Sequence, residues 1–112
     1  MTSNFDNYKR FVNTVTSTES KDSDAFIYRL QELGGSVAIQ RLLTASVGIS
    51  AESGEFMEIV KKIIFQGKPC NDDNLEHLKI ELGDIMWYVA PACMALEIDL
   101  DEVLDKNIKQ LE

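Results

Sequence analysis

The sequence predicts an all-α protein, in which four or five antiparallel helices form a bundle that is completed by association of identical chains. Apolar residues recur at helical spacing in several segments, and glycine or proline signals end those segments. No alternating run of β-branched residues is flanked by turn residues. With 112 residues, 45% of them hydrophobic, the chain suits one folded domain over residues 1–112.

The first predicted helix is amphipathic, with Ser3 or Asn4 as its amino-terminal cap. Its apolar face consists of Phe5, Tyr8, Val12 and Val15. The polar stretch 16–23 that follows is predicted to be a linker. Apolar residues between positions 26 and 33 indicate a short second helix, which Gly34-Gly35 would end.

A long central helix is predicted from Ser36 to about Gln66, because this stretch is rich in helix formers and is followed by Gly67-Lys68-Pro69. The next helix would begin at Asp73, with Glu76 completing a capping box.

That third long helix would run to about Leu96. Pro91 lies inside it, and a bend is expected there because proline removes one backbone donor.

The last predicted helix begins at Asp99, with Glu102 in a second capping-box pattern, and runs through Leu111. So few helices cannot cover both faces of the central helix in one small chain. We therefore expect a homodimer or a homotetramer.

Charge and composition exclude several classes of protein. The net charge of −8, from 19 acidic and 11 basic residues, argues against a nucleic-acid partner. The longest apolar run, 85–96, is too short to span a membrane, and the amino terminus lacks the apolar region of a signal peptide. A cytoplasmic protein is expected, with Cys70 and Cys93 as free thiols.

Two pairs of carboxylates are the main functional signal. Glu52 and Glu55 are three residues apart in one predicted helix, and Glu81 and Asp84 repeat that spacing in the next. Positions i and i+3 lie about 60° apart on a helix, so each pair shares one face. Four converging carboxylates repel one another unless a bound cation offsets their charge, so the two pairs together indicate a cation site. Either pair alone would suit an ordinary solvent-exposed helix face.

The helical phase also selects neighbours of the acids. Lys62 lies about 50° from the centre of the Glu52/Glu55 face, which makes it a candidate for a substrate contact. Tyr88 and His77 lie within about 10° of the centre of the Glu81/Asp84 face, whereas Trp87 lies about 90° away. Tyr88 is therefore a candidate to line the site, and His77 suits a partly exposed helix position.

These residues resemble the signature of the MazG-like all-α NTP pyrophosphatases, relatives of the dimeric dUTPases and dCTP pyrophosphatases. The first acidic pair is followed, after residues 56–80, by the second. The similarity extends to the surrounding sequence from about residue 38 onward. It includes Arg41-Leu42-Leu43, Gly48, Lys61-Lys62, Gln66-Gly67-Lys68 and the run from His77 to Tyr88.

The resemblance implies that Glu52, Glu55, Glu81 and Asp84 bind Mg²⁺, with Mn²⁺ as a substitute. It implies hydrolysis of a nucleoside triphosphate to the monophosphate and pyrophosphate, with Glu55 as the candidate to orient or deprotonate water. Asn107 would contact phosphate. The family's lysine three positions later is replaced here by Gln110.

Two other functions remain open at this point. In one, the acids serve metal-dependent assembly of a non-catalytic helical dimerisation or regulatory module. A di-iron carboxylate site is disfavoured, because neither acidic pair is Glu-x-x-His.

Overall fold

A computed structural model describes residues 3–112, and this part of the chain contains six α-helices and no strand. The helices are α1 (Asn4–Val15), α2 (Thr18–Lys21), α3 (Ser23–Leu33), α4 (Ile39–Phe65), α5 (Asp72–Leu96) and α6 (Leu100–Leu111). The predicted all-α class is confirmed. Among the described residues, no helix combines the length and the apolar character that crossing a membrane requires.

The chain divides into two compact units, one ending at Ser36 and the other beginning at Val37. The first contains α1 to α3 and the second contains α4 to α6. The single domain expected over residues 1–112 stays a prediction.

In the first unit, Ser3 is the cap of α1. Its hydroxyl accepts from the Asp6 N–H at 3.0 Å, and the Asp6 carboxylate accepts from the Ser3 N–H at 3.4 Å. The linker predicted for residues 16–23 is wrong, because it contains the single turn α2. Asp22 then caps α3 by accepting from the Ala25 N–H at 2.9 Å.

The central helix α4 begins at Ile39, three residues later than predicted. The N–H of Ser36 donates to the Leu33 carbonyl at 3.0 Å, which extends the turn after α3 and keeps Ser36 out of α4. The end of α4 agrees with prediction, since Gly67 has φ +70° and the Lys68 N–H donates to the Lys62 carbonyl at 3.1 Å.

The capping box predicted for α5 is wrong, because the helix begins at Asp72, one residue before the predicted cap Asp73. Asn71 is the cap, and its side-chain oxygen accepts from the Asn74 N–H at 3.0 Å. Asp72 and Asp73 both lie in the first turn, where their charges interact favourably with the helix dipole. The helix continues through Pro91 to Leu96, and the bend expected there stays a prediction.

Small residues bring α4 and α5 together as an antiparallel hairpin. Ala45 in α4 and Ala95 in α5 are buried, as is Gly48, whose Cα faces the ring of Tyr88. A side chain larger than hydrogen at position 48 would overlap that ring. The close approach of the two helices is what allows acids on them to meet.

The last helix, α6, begins after Asp99, as predicted. Its cap makes no side-chain hydrogen bond, so the second capping-box pattern is present in sequence but not formed. Cys70 and Cys93 are free thiols, as expected.

Candidate active site

Three carboxylates converge between the two helices of the hairpin. Glu52 comes from α4, and Glu81 and Asp84 come from α5. One oxygen of each lies within 4.8 Å of an oxygen of the other two. The antiparallel pair of helices therefore brings together three of the four acids that the spacing predicted to converge.

Glu81 is the buried member of this carboxylate cluster. The residue is 8% exposed, and its Oε2 is buried without a hydrogen-bond partner. Its other oxygen, Oε1, lies 3.4 Å from Nε2 of His77, one helical turn earlier. A buried carboxylate oxygen without a partner is destabilising, so this position favours a bound cation.

The neighbouring acids raise the pKa of Glu52 above its ordinary value. The largest cause is a hydrogen bond to Glu81, which the protonated form of Glu52 can donate. Partial desolvation and the negative charges of Glu81, Asp84 and Glu55 act in the same direction. Glu52 thus holds a proton more readily than an ordinary glutamate when no cation is present.

Glu55 differs from the other three predicted ligands. It is exposed, and it is not part of the group whose oxygens lie within 4.8 Å of one another. Its charge nevertheless contributes to the raised pKa of Glu52, so it lies near the cluster. Its predicted role as ligand or base stays a prediction.

A shallow cavity of about 350 Å³ adjoins the cluster and is lined by Glu52, Asp84, Trp87 and Tyr88. Tyr88 lies against Gly48 of α4, in agreement with its predicted place on the site face.

Sequence reasoning missed Trp87, which was placed about 90° from the centre of the face. The available signal was its position three residues after Asp84, since that spacing puts two side chains on neighbouring parts of one helix surface.

The two other predicted substrate contacts do not line this cavity. Lys62 is half-buried in α4, with Nζ 3.8 Å from Oε1 of Glu58, which also contacts Lys61 at 3.2 Å. Asn107 is exposed on α6. Both assignments stay predictions.

The donor set indicates which kind of ion would fit. The cluster offers only carboxylate oxygens, the ligands that Mg²⁺ and other hard divalent cations prefer. The unpartnered Oε2 of Glu81 supplies a ligand atom that no protein group satisfies. The residues present therefore fit a divalent metal.

Two comparisons with known proteins gave a match. Residues 40–112 match the model of the MazG nucleotide pyrophosphohydrolase domain. The chain is also 34% identical over 91 residues to the Gene 37 protein of Mycobacterium phage L5, covering 80% of this chain and 78% of the phage protein. A comparison with solved structures gave no significant match.

Proposed function

The chain belongs to the MazG nucleotide pyrophosphohydrolase domain family, and on that basis we propose that it hydrolyses nucleoside triphosphates to the monophosphate and pyrophosphate in a Mg²⁺-dependent reaction. Either ribo- or deoxyribonucleotides would be substrates. The observation that carries the proposal is the convergence of Glu52, Glu81 and Asp84, with an unpartnered buried oxygen on Glu81. A triphosphate beside these carboxylates would be repelled by their like charge, so a bound cation would favour its binding.

In this proposal Glu52, Glu81 and Asp84 hold the ion from both helices. When bound, Mg²⁺ offsets the charge of the acids and of the phosphates and makes water at the site more acidic. Mn²⁺ would serve in its place, because it accepts the same oxygen ligands.

The remaining predicted residues act on water and substrate. Glu55, exposed beside the cluster, orients the attacking water and accepts its proton. The water attacks the α-phosphorus, the bond from that phosphorus to the bridging oxygen breaks, and pyrophosphate leaves. Lys62 and Asn107 contact phosphate, and Tyr88 lines the sugar side of the cavity.

The direct test is release of pyrophosphate from a panel of canonical, deoxy and modified triphosphates, with and without Mg²⁺. We expect release that depends on the ion and stops in Asp84→Asn, because an amide is a poorer ligand for a hard dication. The matched control is Glu76→Gln, an exposed carboxylate two turns earlier on α5 that forms a surface ion pair with Lys79.

Asp84→Asn should leave the fold intact, because it removes one member of a repulsive cluster. The stabilisation that Mg²⁺ gives the parent by binding its folded state should shrink in the variant. Absence of pyrophosphate release with every triphosphate would instead favour a non-catalytic helical module.

A further inference from the structure

We propose that Trp87 is the nucleobase-binding residue of this site, with the base stacked on the exposed face of its indole ring. The inference rests on the proposed function, since it assumes that a nucleotide binds at the carboxylate cluster. It adds a base-binding residue in a part of the cavity to which no role is otherwise assigned.

The first support is the position of Trp87. Its side chain lines the same cavity as Glu52 and Asp84, although the residue is 65% exposed. Many apolar side chains of this chain are exposed, but among the large ones in the described residues Trp87 alone also lines this cavity. Exposure next to the acids, rather than exposure itself, is what distinguishes it.

The second support is that a neighbouring ring restrains the indole on one side. Trp87 contacts Tyr88 edge to face, with ring centroids 5.0 Å apart and an interplanar angle of 79°. Tyr88 in turn lies against the backbone of α4 at Gly48. A platform fixed in this way can accept a base with little loss of side-chain freedom.

The third support is the chemistry that remains after the phosphates are accounted for. The acids and their ion would bind the charged end of a nucleotide, whereas the base is uncharged and flat. Stacking on an aromatic ring is the interaction that such a group makes most readily, and it tolerates different bases because each has a π face. A cavity of about 350 Å³ lies within the range of small-ligand sites.

The chain contains one tryptophan, so fluorescence excited at wavelengths that the indole absorbs and tyrosine does not reports on Trp87 alone. We expect a nucleoside monophosphate with Mg²⁺ to quench the emission of the parent protein. Ribose 5-phosphate and pyrophosphate, which lack a base, should leave it nearly unchanged. This measurement needs no variant and does not depend on turnover.

Variants then connect the ring to catalysis. Trp87→Leu, which keeps an apolar side chain but removes the π face, should raise KM for a triphosphate about tenfold or more while kcat changes little. Trp87→Phe should lie close to the parent. Helical circular dichroism and sedimentation of each variant verify that fold and assembly are retained.

Two results would overturn the inference while leaving the proposed function intact. One is normal hydrolysis by the parent without quenching by any monophosphate. The other is an unchanged KM in Trp87→Leu, with emission that shifts to shorter wavelength as protein concentration rises, which would place Trp87 in a contact between copies. Failure of the parent to hydrolyse any triphosphate, with quenching retained, would reject the hydrolase and keep the base site.

Discussion

A hydrogen atom is the largest side chain that α4 accommodates at position 48, because the ring of Tyr88 fills the space where a Cβ would lie. Rings are stiff, so the overlap can be relieved only by moving Tyr88 or by separating the helices. Separation would also move Glu52 away from Glu81 and Asp84, which lie across the same interface. Position 48 therefore couples packing to the geometry of the acids.

We expect Gly48→Ala to lower the free energy of unfolding by about 1 to 3 kcal/mol, the usual range for overpacking, and to weaken Mg²⁺ binding. Urea unfolding and metal titration measure the two effects. Gly83→Ala is the control, since a Cβ there meets open space and alanine is favoured in a helix by up to about 1 kcal/mol. Equal destabilisation by both would contradict the assigned contact.

The raised pKa of Glu52 predicts how stability depends on pH in metal-free buffer. The folded state binds a proton at Glu52 more tightly than the unfolded state does. Protonation of this group therefore makes the fold more stable at a pH below the raised pKa than at neutral pH. Its contribution to the free energy of unfolding falls as pH rises through the range between the unfolded and folded pKa values, and then levels off.

Glu52→Gln removes that dependence. The free energy of unfolding of the parent, relative to that of the variant, should therefore rise as the pH is lowered from about 7 to about 4.5 in EDTA. Urea unfolding at several pH values measures it, and subtraction of the variant removes the effects of carboxylates that do not interact with Glu52. A relative stability that falls on acidification would show that the acids do not repel one another.

At the scale of single residues, the sequence predicted which acids belong to the site better than it predicted which of them lie close together. Spacing at i and i+3 placed Glu81 and Asp84 on one face, and the structure joins them to Glu52. The spacing in the sequence did not separate Glu55 from the other three acids, because burial depends on side-chain direction and on the neighbouring helix. Trp87 was missed for a related reason, since a bulky ring reaches a cavity away from its own helical phase.

Two helix ends in the second unit adopt the left-handed backbone conformation with different residues. Gly67, after α4, has φ +70°, and Glu97, after α5, has φ 56°. Glycine adopts this region without steric strain, whereas a residue with a Cβ does not. Glu97 also places a negative charge at a helix carboxyl terminus, where the helix dipole disfavours it.

Glu97→Gly should therefore raise the free energy of unfolding by about 0.5 to 1 kcal/mol, and Gly67→Ala should lower it by about 1 kcal/mol. Thermal and urea unfolding measure both. Neither position belongs to the cavity or the carboxylate cluster, so turnover should change little. Opposite signs are the decisive result, and a loss of stability in Glu97→Gly would be inconsistent with strain there.

Helix existence was predictable here, while helix starts were less so. The apolar periodicity identified the long helices and Gly67 marked where α4 ends. The start of α5 was misplaced because Asn71 and Asp73 are both good caps, and only backbone geometry selects Asn71. α2 was missed because a single polar turn has no apolar face to reveal it.

At the scale of the whole molecule, the chain leaves much apolar surface uncovered. Among the described residues, the buried apolar side chains are those of two alanines, and no large side chain is fully buried. On α4, several exposed apolar residues lie on the side roughly opposite Glu52. They are Leu43, Val47, Met57 and Ile64.

We expect the protein to sediment as a homodimer or a homotetramer at micromolar concentration, with this side of α4 in the contact. Val47→Glu should shift the population toward monomer, because it would bury a charge. Asn13→Glu, an equal change of charge at an exposed polar position of α1, should not. A monomeric parent in the presence of Mg²⁺ would contradict the prediction.

The position of the carboxylate cluster within one hairpin also bears on how the chain folds. The loop 66–71 that joins α4 to α5 is short, so the acids meet after closure of a single short loop, and the cost of such closure rises only slowly with loop length. Contacts of this local kind give the low contact order of fast-folding helical proteins. We therefore expect the like charges to come together early, where they would oppose hairpin formation unless a dication is already present. Any ion that the acids bind would then act on the folding rate as well as on the finished site.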